Sequence, residues 1–243
     1  MKRHTFVKHK LLFVILLSFS FVFAFAGAMF QNSNDNTMHV SGKENINVTV
    51  IIDAGHGGED GGAVGTTLGT LEKDINLSLS YKLCELFALT DIKAVMTRCD
   101  DRLLYNDGQE HRKKYHDVRN RVKFAQDYES PVFISIHQNK FPVSKYKGLQ
   151  VYYSGNNDES KILAEKIQSY VVTNIQKDNN RKIKESGGSI YLMNALECPA
   201  VLVECGFLSN SEDEKNLCDD EYQNKLAFVI FASIMSYISE NQL

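Results

Sequence analysis

One stretch, residues 48–62, constrains the fold of this chain more than any other. It begins with a β-branched, largely apolar run at 48–52 and passes directly into Asp53-Ala-Gly-His-Gly-Gly-Glu-Asp-Gly-Gly62. Such a run is typical of a strand that is buried in a parallel sheet. The glycines permit a sharp turn after it, because they accept positive φ angles. Open α/β sheets carry their chemistry where strands run into turns of this kind, so His56 is a candidate functional residue.

The glycines of this turn do not match the common phosphate-binding loops. A Walker loop needs a lysine directly after its last glycine, and here the next lysine is Lys73. The dinucleotide pattern Gly-x-Gly-x-x-Gly can begin at Gly55, but its third glycine position holds Asp60. Acidic Glu59 and Asp60 would also repel a phosphate. Nucleotide binding is therefore not expected, which leaves a purely structural turn or part of a catalytic site.

Three further segments end in a side chain that can do chemistry. The apolar run 131–136 leads into His137, the apolar run 200–203 leads into Glu204, and Glu72 opens a helical pattern. Each of these residues taken alone also suits a structural role. Together, two imidazoles and a carboxylate at strand ends form a zinc-binding set with one position left for water. The second carboxylate is then available to move protons.

Four segments resemble the zinc-dependent N-acetylmuramoyl-L-alanine amidases of the amidase-3 family, which hydrolyse peptidoglycan. They follow one another as Ile52-Asp-Ala-Gly-His-Gly-Gly58, Leu71-Glu-Lys-Asp-Ile-Asn76, Ser135-Ile-His-Gln-Asn139 and Pro199-Ala-Val-Leu-Val-Glu-Cys-Gly-Phe-Leu-Ser-Asn210. The resemblance implies that His56, Glu72 and His137 bind Zn²⁺. It implies that Glu204 is the catalytic residue, which takes a proton from water and later gives one to the departing amine. The bond cleaved would be the amide between N-acetylmuramic acid and L-alanine of the stem peptide.

The subtype of amidase is indicated by weaker features. The segments 180–184 and 189–193 resemble the germination-specific amidases of the spore cortex. The sequence contains no wall-binding repeat, which fits the same subtype. Those enzymes prepare cortex muramic acid for conversion to muramic-δ-lactam. A vegetative cell-wall amidase, a non-catalytic peptidoglycan-binding module and a zinc peptidase for another amide remain as alternatives, because fold and metal do not fix the substrate. The sequence does not decide whether a protein activator is needed.

The first 30 residues are predicted to direct export. Four basic residues precede an uncharged apolar run at 11–30, namely Lys2, Arg3, Lys8 and Lys10. Positive charge before such a run stays on the cytoplasmic side. The run offers small-residue cleavage sites around Ala26 and is about long enough to span a bilayer, so a cleaved signal peptide and a membrane anchor both fit. Residues 31–46 are predicted to be a linker and 47–243 the catalytic domain. We expect an extracytoplasmic protein of the cell wall or spore cortex.

Charge and cysteine content exclude two other classes of protein. The chain holds 27 basic and 30 acidic residues, and without the four cations of the export segment its formal charge is −7. Nucleic-acid binding would favour the opposite sign. The five cysteines have no spacing typical of a disulfide scaffold. Cys205 follows Glu204, but strand alternation predicts that it points to the opposite face and is not a metal ligand.

Apolar periodicity predicts one α/β domain, with a largely parallel twisted sheet of about six strands and helices on both faces. The predicted strands are 48–52, 92–97, 133–136, 149–153, 190–193 and 200–203. The predicted helices begin near residue 73 and then cover 112–128, 160–175 and 222–238, of which 112–128 is a surface helix. The segment 138–148 is too short to hold a helix that blocks the site, so an open groove is expected.

Several polar residues near these motifs have two plausible roles. Asp53 either accepts a hydrogen bond from a ligand histidine or caps the glycine turn. Asn139 either orients substrate amides or forms an Asx turn. Arg98 and Arg121 either form salt bridges or contact the substrate. Glu59 and Asp60 are predicted to be solvated turn residues.

Overall fold

The computed structural model of the protein describes residues 48–241. The predicted export segment at 1–30 and the linker at 31–46 lie outside the described residues. Among the described helices, none is both long enough and apolar enough to cross a membrane.

The described chain contains a six-stranded sheet. Its strands are β1 (Thr49–Ala54), β2 (Lys93–Met96), β3 (Pro131–Asn139), β4 (Gln150–Tyr153), β5 (Lys184–Glu185) and β6 (Ala200–Phe207). They lie in the order β2-β1-β3-β6-β4-β5. Only the β4–β6 pair is antiparallel, and the other four pairs are parallel. The prediction of a largely parallel sheet of about six strands is confirmed.

Helices cover both faces of this sheet. They are α1 (Glu72–Phe87), α2 (Lys113–Gln126), α3 (Asp158–Asn174), α4 (Tyr191–Ala195), α5 (Ser211–Cys218) and α6 (Asp220–Glu240), with short 3₁₀ turns at Glu110–Arg112 and Gly187–Ser189. Val50 and Ile52 of β1 belong to the larger core cluster, which takes its helical residues mainly from α1, α3 and α6. Ile51 points the other way and packs with residues of α2 and α4. This alternation follows from the period of two along a strand.

One predicted strand is wrong. Residues 190–193 were expected to be extended, but Tyr191–Ala195 is a short helix that places Leu192 and Met193 in the smaller core cluster. A run of four apolar residues does not distinguish a strand from a buried helical turn by periodicity alone. The sixth strand comes instead from Lys184–Glu185, which is exposed and carries no apolar signal. Helix α5 was not predicted either; it is capped by Asn210, whose side chain accepts from the backbone N–H groups of Glu212 and Asp213.

The two strands that carry His137 and Glu204 run further than predicted. β3 continues past His137 to Asn139, and β6 continues past Glu204 to Phe207, so neither site residue ends its strand. His137 and Glu204 are direct partners in the parallel β3–β6 pair, and the register shifts just after them. His137 and Glu204 interrupt the apolar pattern of their strands, and in β6 the buried residues Cys205 and Phe207 follow. Backbone pairing does not depend on that change, so the strands go on.

Candidate active site

Three predicted site residues meet at the carboxyl edge of the sheet. His56 lies in the turn after β1, Glu72 opens α1, and His137 lies near the end of β3. Their ligand atoms all lie within 4.8 Å of one another, and within residues 48–241 they form the one group of at least three His, Cys, Asp or Glu side chains arranged to hold a metal ion. The oxygen Oε1 of Glu72 is 3.2 Å from Nε2 of His56 and 2.9 Å from Nδ1 of His137.

The glycines around His56 are required by close packing. A Cβ added to Gly55 would overlap the imidazole ring of His137. One added to Gly62 would lie 2.5 Å from Oε2 of Glu72, and Gly62 also has a φ of +67°. His56 itself has a φ of 61°, in the left-handed region that residues with a Cβ rarely adopt. The turn therefore brings a strained histidine and the backbone close to the other two side chains.

Glu72 is a buried carboxylate held by several donors. Its Oε2 accepts from the backbone N–H of Ala63 at 2.7 Å, and its Oε1 accepts from that of Gln138 at 3.0 Å. Burial alone would raise the pKa of Glu72, but the hydrogen bonds and charges of His137 and His56 outweigh burial and hold the pKa well below its usual range. The group is therefore ionised at neutral pH.

Asp60 holds the second nitrogen of His56. Nδ1 of His56 lies 3.0 Å from Oδ2 of Asp60, whose Oδ1 is 2.7 Å from Nζ of Lys114. Burial opposes the charged imidazole, but the carboxylates of Glu72 and Asp60 raise the pKa of His56 to about 9. A carboxylate on the far nitrogen of an imidazole fixes its orientation and tautomer. The prediction that Asp60 is merely solvated is wrong, whereas Glu59 is exposed and pairs with Lys113. The position of Asp60, four residues after His56 in the glycine turn, was the signal in the sequence that could have indicated this contact.

Asp53 has neither of its two predicted roles. It is fully buried, and its carboxylate accepts hydrogen bonds from Arg121, Thr97 and Ser135 at 2.6–2.7 Å. Arg121 also donates to the carbonyl of His56 at 2.8 Å. Helix α2, predicted to be a surface helix, thus buries a guanidinium beneath the catalytic turn. The ion pair supports the backbone that carries His56.

Both arginines of uncertain role proved to be structural. Arg121 pairs with Asp117 as well as with Asp53. Arg98 is buried and donates to four backbone carbonyls, those of Ala54, Gly55, Lys73 and Asp100. These contacts join the turn after β1 to the start of α1, and so fix the distance between His56 and Glu72.

Glu204 lies beside the three clustered residues. Its register partners are His137 on β3 and Gln150 on β4. Its Oε2 is buried and has no hydrogen-bond partner among the described residues. Burial raises the pKa of Glu204 to about 7, with smaller contributions from His137, which lowers the pKa, and from Glu72, which raises it. Cys205 points into the larger core cluster and is fully buried, so the prediction that it faces away from the site is confirmed.

The fold and the site together define an α/β enzyme whose sheet edge carries a candidate metal centre and a separate carboxyl group suited to proton transfer. Residues 50–236 match the family described as N-acetylmuramoyl-L-alanine amidase, and the chain belongs to that family. The expectation of a peptidoglycan hydrolase that cleaves the muramoyl–alanine amide is confirmed.

Individual relatives agree with this assignment. The germination-specific N-acetylmuramoyl-L-alanine amidase of Bacillus subtilis (strain 168) is 37% identical over 193 residues, which cover 79% of this chain and 80% of that protein. The structure of the CwlD amidase from Clostridioides difficile, in complex with the GerS lipoprotein, is 40% identical with a TM-score of 0.75 and covers 79% of this chain and 98% of that one. The amidase AmiC2 of Nostoc punctiforme is 31% identical with a TM-score of 0.68, and covers 80% and 98% of the two chains.

Proposed function

We propose that the protein is a zinc-dependent spore-cortex amidase in which His56, Glu72 and His137 hold Zn²⁺. The observation that carries this proposal is the convergence of Nε2 of His56, Oε1 of Glu72 and Nδ1 of His137 on one point at the sheet edge. Atoms that bind zinc at about 2.0–2.1 Å in a tetrahedral arrangement are roughly 3.3–3.5 Å apart. The two separations from Glu72, 2.9 and 3.2 Å, are slightly shorter than this, and all three ligand atoms lie within 4.8 Å of one another. Two imidazoles and one carboxylate are a donor set that suits zinc.

Zinc in such a site lowers the pKa of a water molecule to about 7 and polarises the scissile carbonyl group. Glu204 takes the proton of the attacking water and delivers a proton to the nitrogen of the departing L-alanine. The oxygen Oε2 of Glu204 is buried and has no hydrogen-bond partner within residues 48–241, so it is available for this proton transfer. A pKa of about 7 suits a group that must accept and donate in one cycle at neutral pH. Asp60 keeps His56 oriented throughout.

The cellular role follows from similarity to relatives and from the N-terminal sequence. A germination-specific enzyme is among the similar proteins, which supports a role in the spore cortex. The similar structure from Clostridioides difficile is a complex with a lipoprotein, which supports a protein partner for this chain as well. We assign residues 1–30 to export as a signal peptide or membrane anchor, 31–46 to a linker and 47–243 to the catalytic domain. The protein then acts outside the cytoplasm, anchored or secreted.

Digestion of purified cortex peptidoglycan tests this function. Zinc-loaded protein is expected to release stem peptides with a free L-alanine amino group and to leave intact lactyl groups on muramic acid, as identified by mass spectrometry. Vegetative peptidoglycan is the parallel substrate, and faster cleavage of it would contradict the cortex role. Release of fragments cut at another amide would contradict the amidase assignment. Binding to peptidoglycan without new chain ends would indicate a non-catalytic module.

A further inference from the structure

We propose that a groove beside Glu204 binds the peptide released by hydrolysis, and that Arg181 binds a carboxylate of this peptide. The inference rests on the role proposed for Glu204. The cavity, called here the Arg181 groove, has a volume of about 220 Å³ and is lined by Asn139, Phe141, Tyr146, Gln150, Tyr152, Arg181 and Phe207. Pockets that enclose whole small ligands occupy about 300–1,000 Å³. The groove therefore suits one segment of a larger substrate.

The groove begins directly at Glu204. Gln150 is the residue opposite Glu204 in the antiparallel β4–β6 pair. Residues opposed in this way share a sheet face and have Cβ atoms about 4.5–5.5 Å apart. Tyr152 lies two residues further along β4 and hence on the same face. The lining of the groove is therefore continuous with the carboxyl group that is assigned to proton transfer.

The position of Glu204 determines which half of the substrate enters this groove. The group that gives a proton to the departing amine must lie on the amine side of the scissile bond. His56 and Glu72 come from β1 and α1, whereas the groove lies on the opposite side of Glu204, toward β4. The L-alanyl peptide therefore leaves along the groove, and the muramoyl half lies toward the other flank.

Arg181 is held in place, but none of the described residues neutralises its charge. Its Nε donates to the carbonyl of Lys147 at 3.0 Å, and its Nη1 donates to Oε1 of Gln150 at 2.9 Å. The guanidinium carbon lies 4.3 Å from the ring centroid of Phe207 and 5.8 Å from that of Tyr146. Within residues 48–241, Nη2 donates no hydrogen bond and no carboxylate forms a salt bridge with Arg181. An oriented, unpaired guanidinium inside an aromatic cavity is a site for an anion.

The acidic residues near this site are bound to partners other than Arg181. Three acidic residues line the adjoining surface. Nζ of Lys147 binds Asp178 and Glu212 at 2.9 and 3.1 Å, and Asp213 accepts hydrogen bonds from the backbone N–H groups of Gly148 and Phe207. Lys184 adds a second cation at the rim, with its Nζ 5.8 Å from the ring centroid of Tyr152. A negatively charged ligand group is therefore favoured over a neutral one.

A carboxylate on the released peptide matches this chemistry. Stem peptides of peptidoglycan carry a free carboxylate on the residue that follows L-alanine, or a carboxamide in its place. A planar guanidinium binds a carboxylate through two parallel hydrogen bonds, which a neutral carboxamide cannot accept in the same way. The aromatic side chains around Arg181 offer apolar area for the remainder of the peptide. The groove is thus predicted to select substrates by charge at that one position.

Two muropeptides that differ only in this carboxylate or carboxamide provide the test. The zinc-loaded protein is expected to hydrolyse the carboxylate form with a kcat/KM about tenfold higher, which corresponds to about 1.4 kcal/mol. In Arg181→Gln the ratio of the two kcat/KM values is expected to fall close to one. Arg181→Lys should retain part of the preference, because charge remains but the two-pronged geometry is lost. Lys161→Gln, which removes an exposed charge on α3, is the control and should keep the wild-type ratio.

Two results would overturn the proposal. One is a wild-type protein that does not distinguish the two muropeptides. The other is an Arg181→Gln protein whose kcat/KM falls by the same factor on both muropeptides. Arg181 would then only support its loop. Calorimetric binding of both muropeptides to zinc-loaded Glu204→Gln measures the same preference without catalysis. Absence of any hydrolysis by the wild-type protein would contradict the proposed function, while the difference in Kd would still decide the role of Arg181.

Discussion

Arg121 of α2 and Asp53 of β1 form a buried ion pair, with Nη1 and Oδ1 2.6 Å apart, directly beneath the turn that carries His56. The same guanidinium donates to the carbonyls of Ala54 and His56. This ion pair connects helix α2, on one face of the sheet, to the backbone of the turn that carries His56. Its loss should therefore affect both folding and the geometry of His56.

Asp53→Asn is expected to destabilise the protein by about 3–5 kcal/mol, because among the described residues it leaves the buried Arg121 with Asp117 alone as an acidic partner. Urea unfolding followed by circular dichroism measures the change. Asp107→Asn, in an exposed loop, is the matched control and should change the free energy of unfolding by less than about 0.5 kcal/mol. Equal effects of the two substitutions would show that the buried pair contributes no net stability.

The same pair predicts how stability depends on pH. Burial alone would raise the pKa of Asp53, but the charge of Arg121 and the hydrogen bonds from Ser135 and Thr97 lower it. The unfolded value is about 3.9, so this contribution is complete above that pH and is lost as the pH falls toward the lower folded value. Unfolding free energies measured from pH 7 down to pH 3 should decrease less steeply below about pH 4 in Asp53→Asn than in the wild type. A slope unchanged by the substitution would contradict the lowered pKa.

His56→Ala and His137→Ala are each expected to lose zinc and to abolish hydrolysis of peptidoglycan, because each removes one of three proposed protein ligands. Zinc content by mass spectrometry of purified protein and release of stem peptides are the two measurements. His111→Ala is the control, since His111 is exposed and lies in a 3₁₀ turn away from the cluster. Full zinc content or full activity in either ligand variant would disprove its assignment.

Glu204→Gln is expected to lower turnover roughly 10²–10⁴-fold, because the amide cannot accept the proton of the attacking water. Zinc content should not change. The melting temperature should not fall, because Glu204 has no ion-pair partner within residues 48–241 to lose. Glu165→Gln, on the exposed side of α3, is the control for the loss of one carboxylate. Loss of zinc would instead make Glu204 a ligand, and near-normal turnover would exclude it as the proton-transfer group.

Asp60→Asn tests a positioning role. Weakening the hydrogen bond to Nδ1 of His56 is expected to lower zinc affinity by about 10–100-fold. Added zinc should then restore most of the hydrolysis, a rescue that loss of folding would not show. Glu59→Gln is the neighbouring control, since Glu59 is exposed and contacts Lys113. Wild-type zinc affinity in Asp60→Asn would remove Asp60 from the site.

The sequence alone determined the features that depend on local pattern. Apolar runs and their spacing predicted the parallel sheet, because burial on both faces leaves a continuous apolar signal. The glycine turn and four short motifs indicated His56, Glu72, His137 and Glu204. Their residue types suit zinc binding and proton transfer, and the resemblance of the four motifs to a known family predicted those roles.

Only the tertiary structure decided contacts between residues far apart in the chain. The Asp53–Arg121 pair joins residues 68 positions apart, and no local pattern distinguishes it from a surface salt bridge. Residues 190–193 formed a helix because the space over the smaller core cluster accepts Leu192 and Met193 in that form. Arg181 has no acidic partner within residues 48–241 because the loop that carries it folds over Phe207 beside β4. Sequence specifies which groups are present, but packing decides which of them meet and which charges stay unpaired.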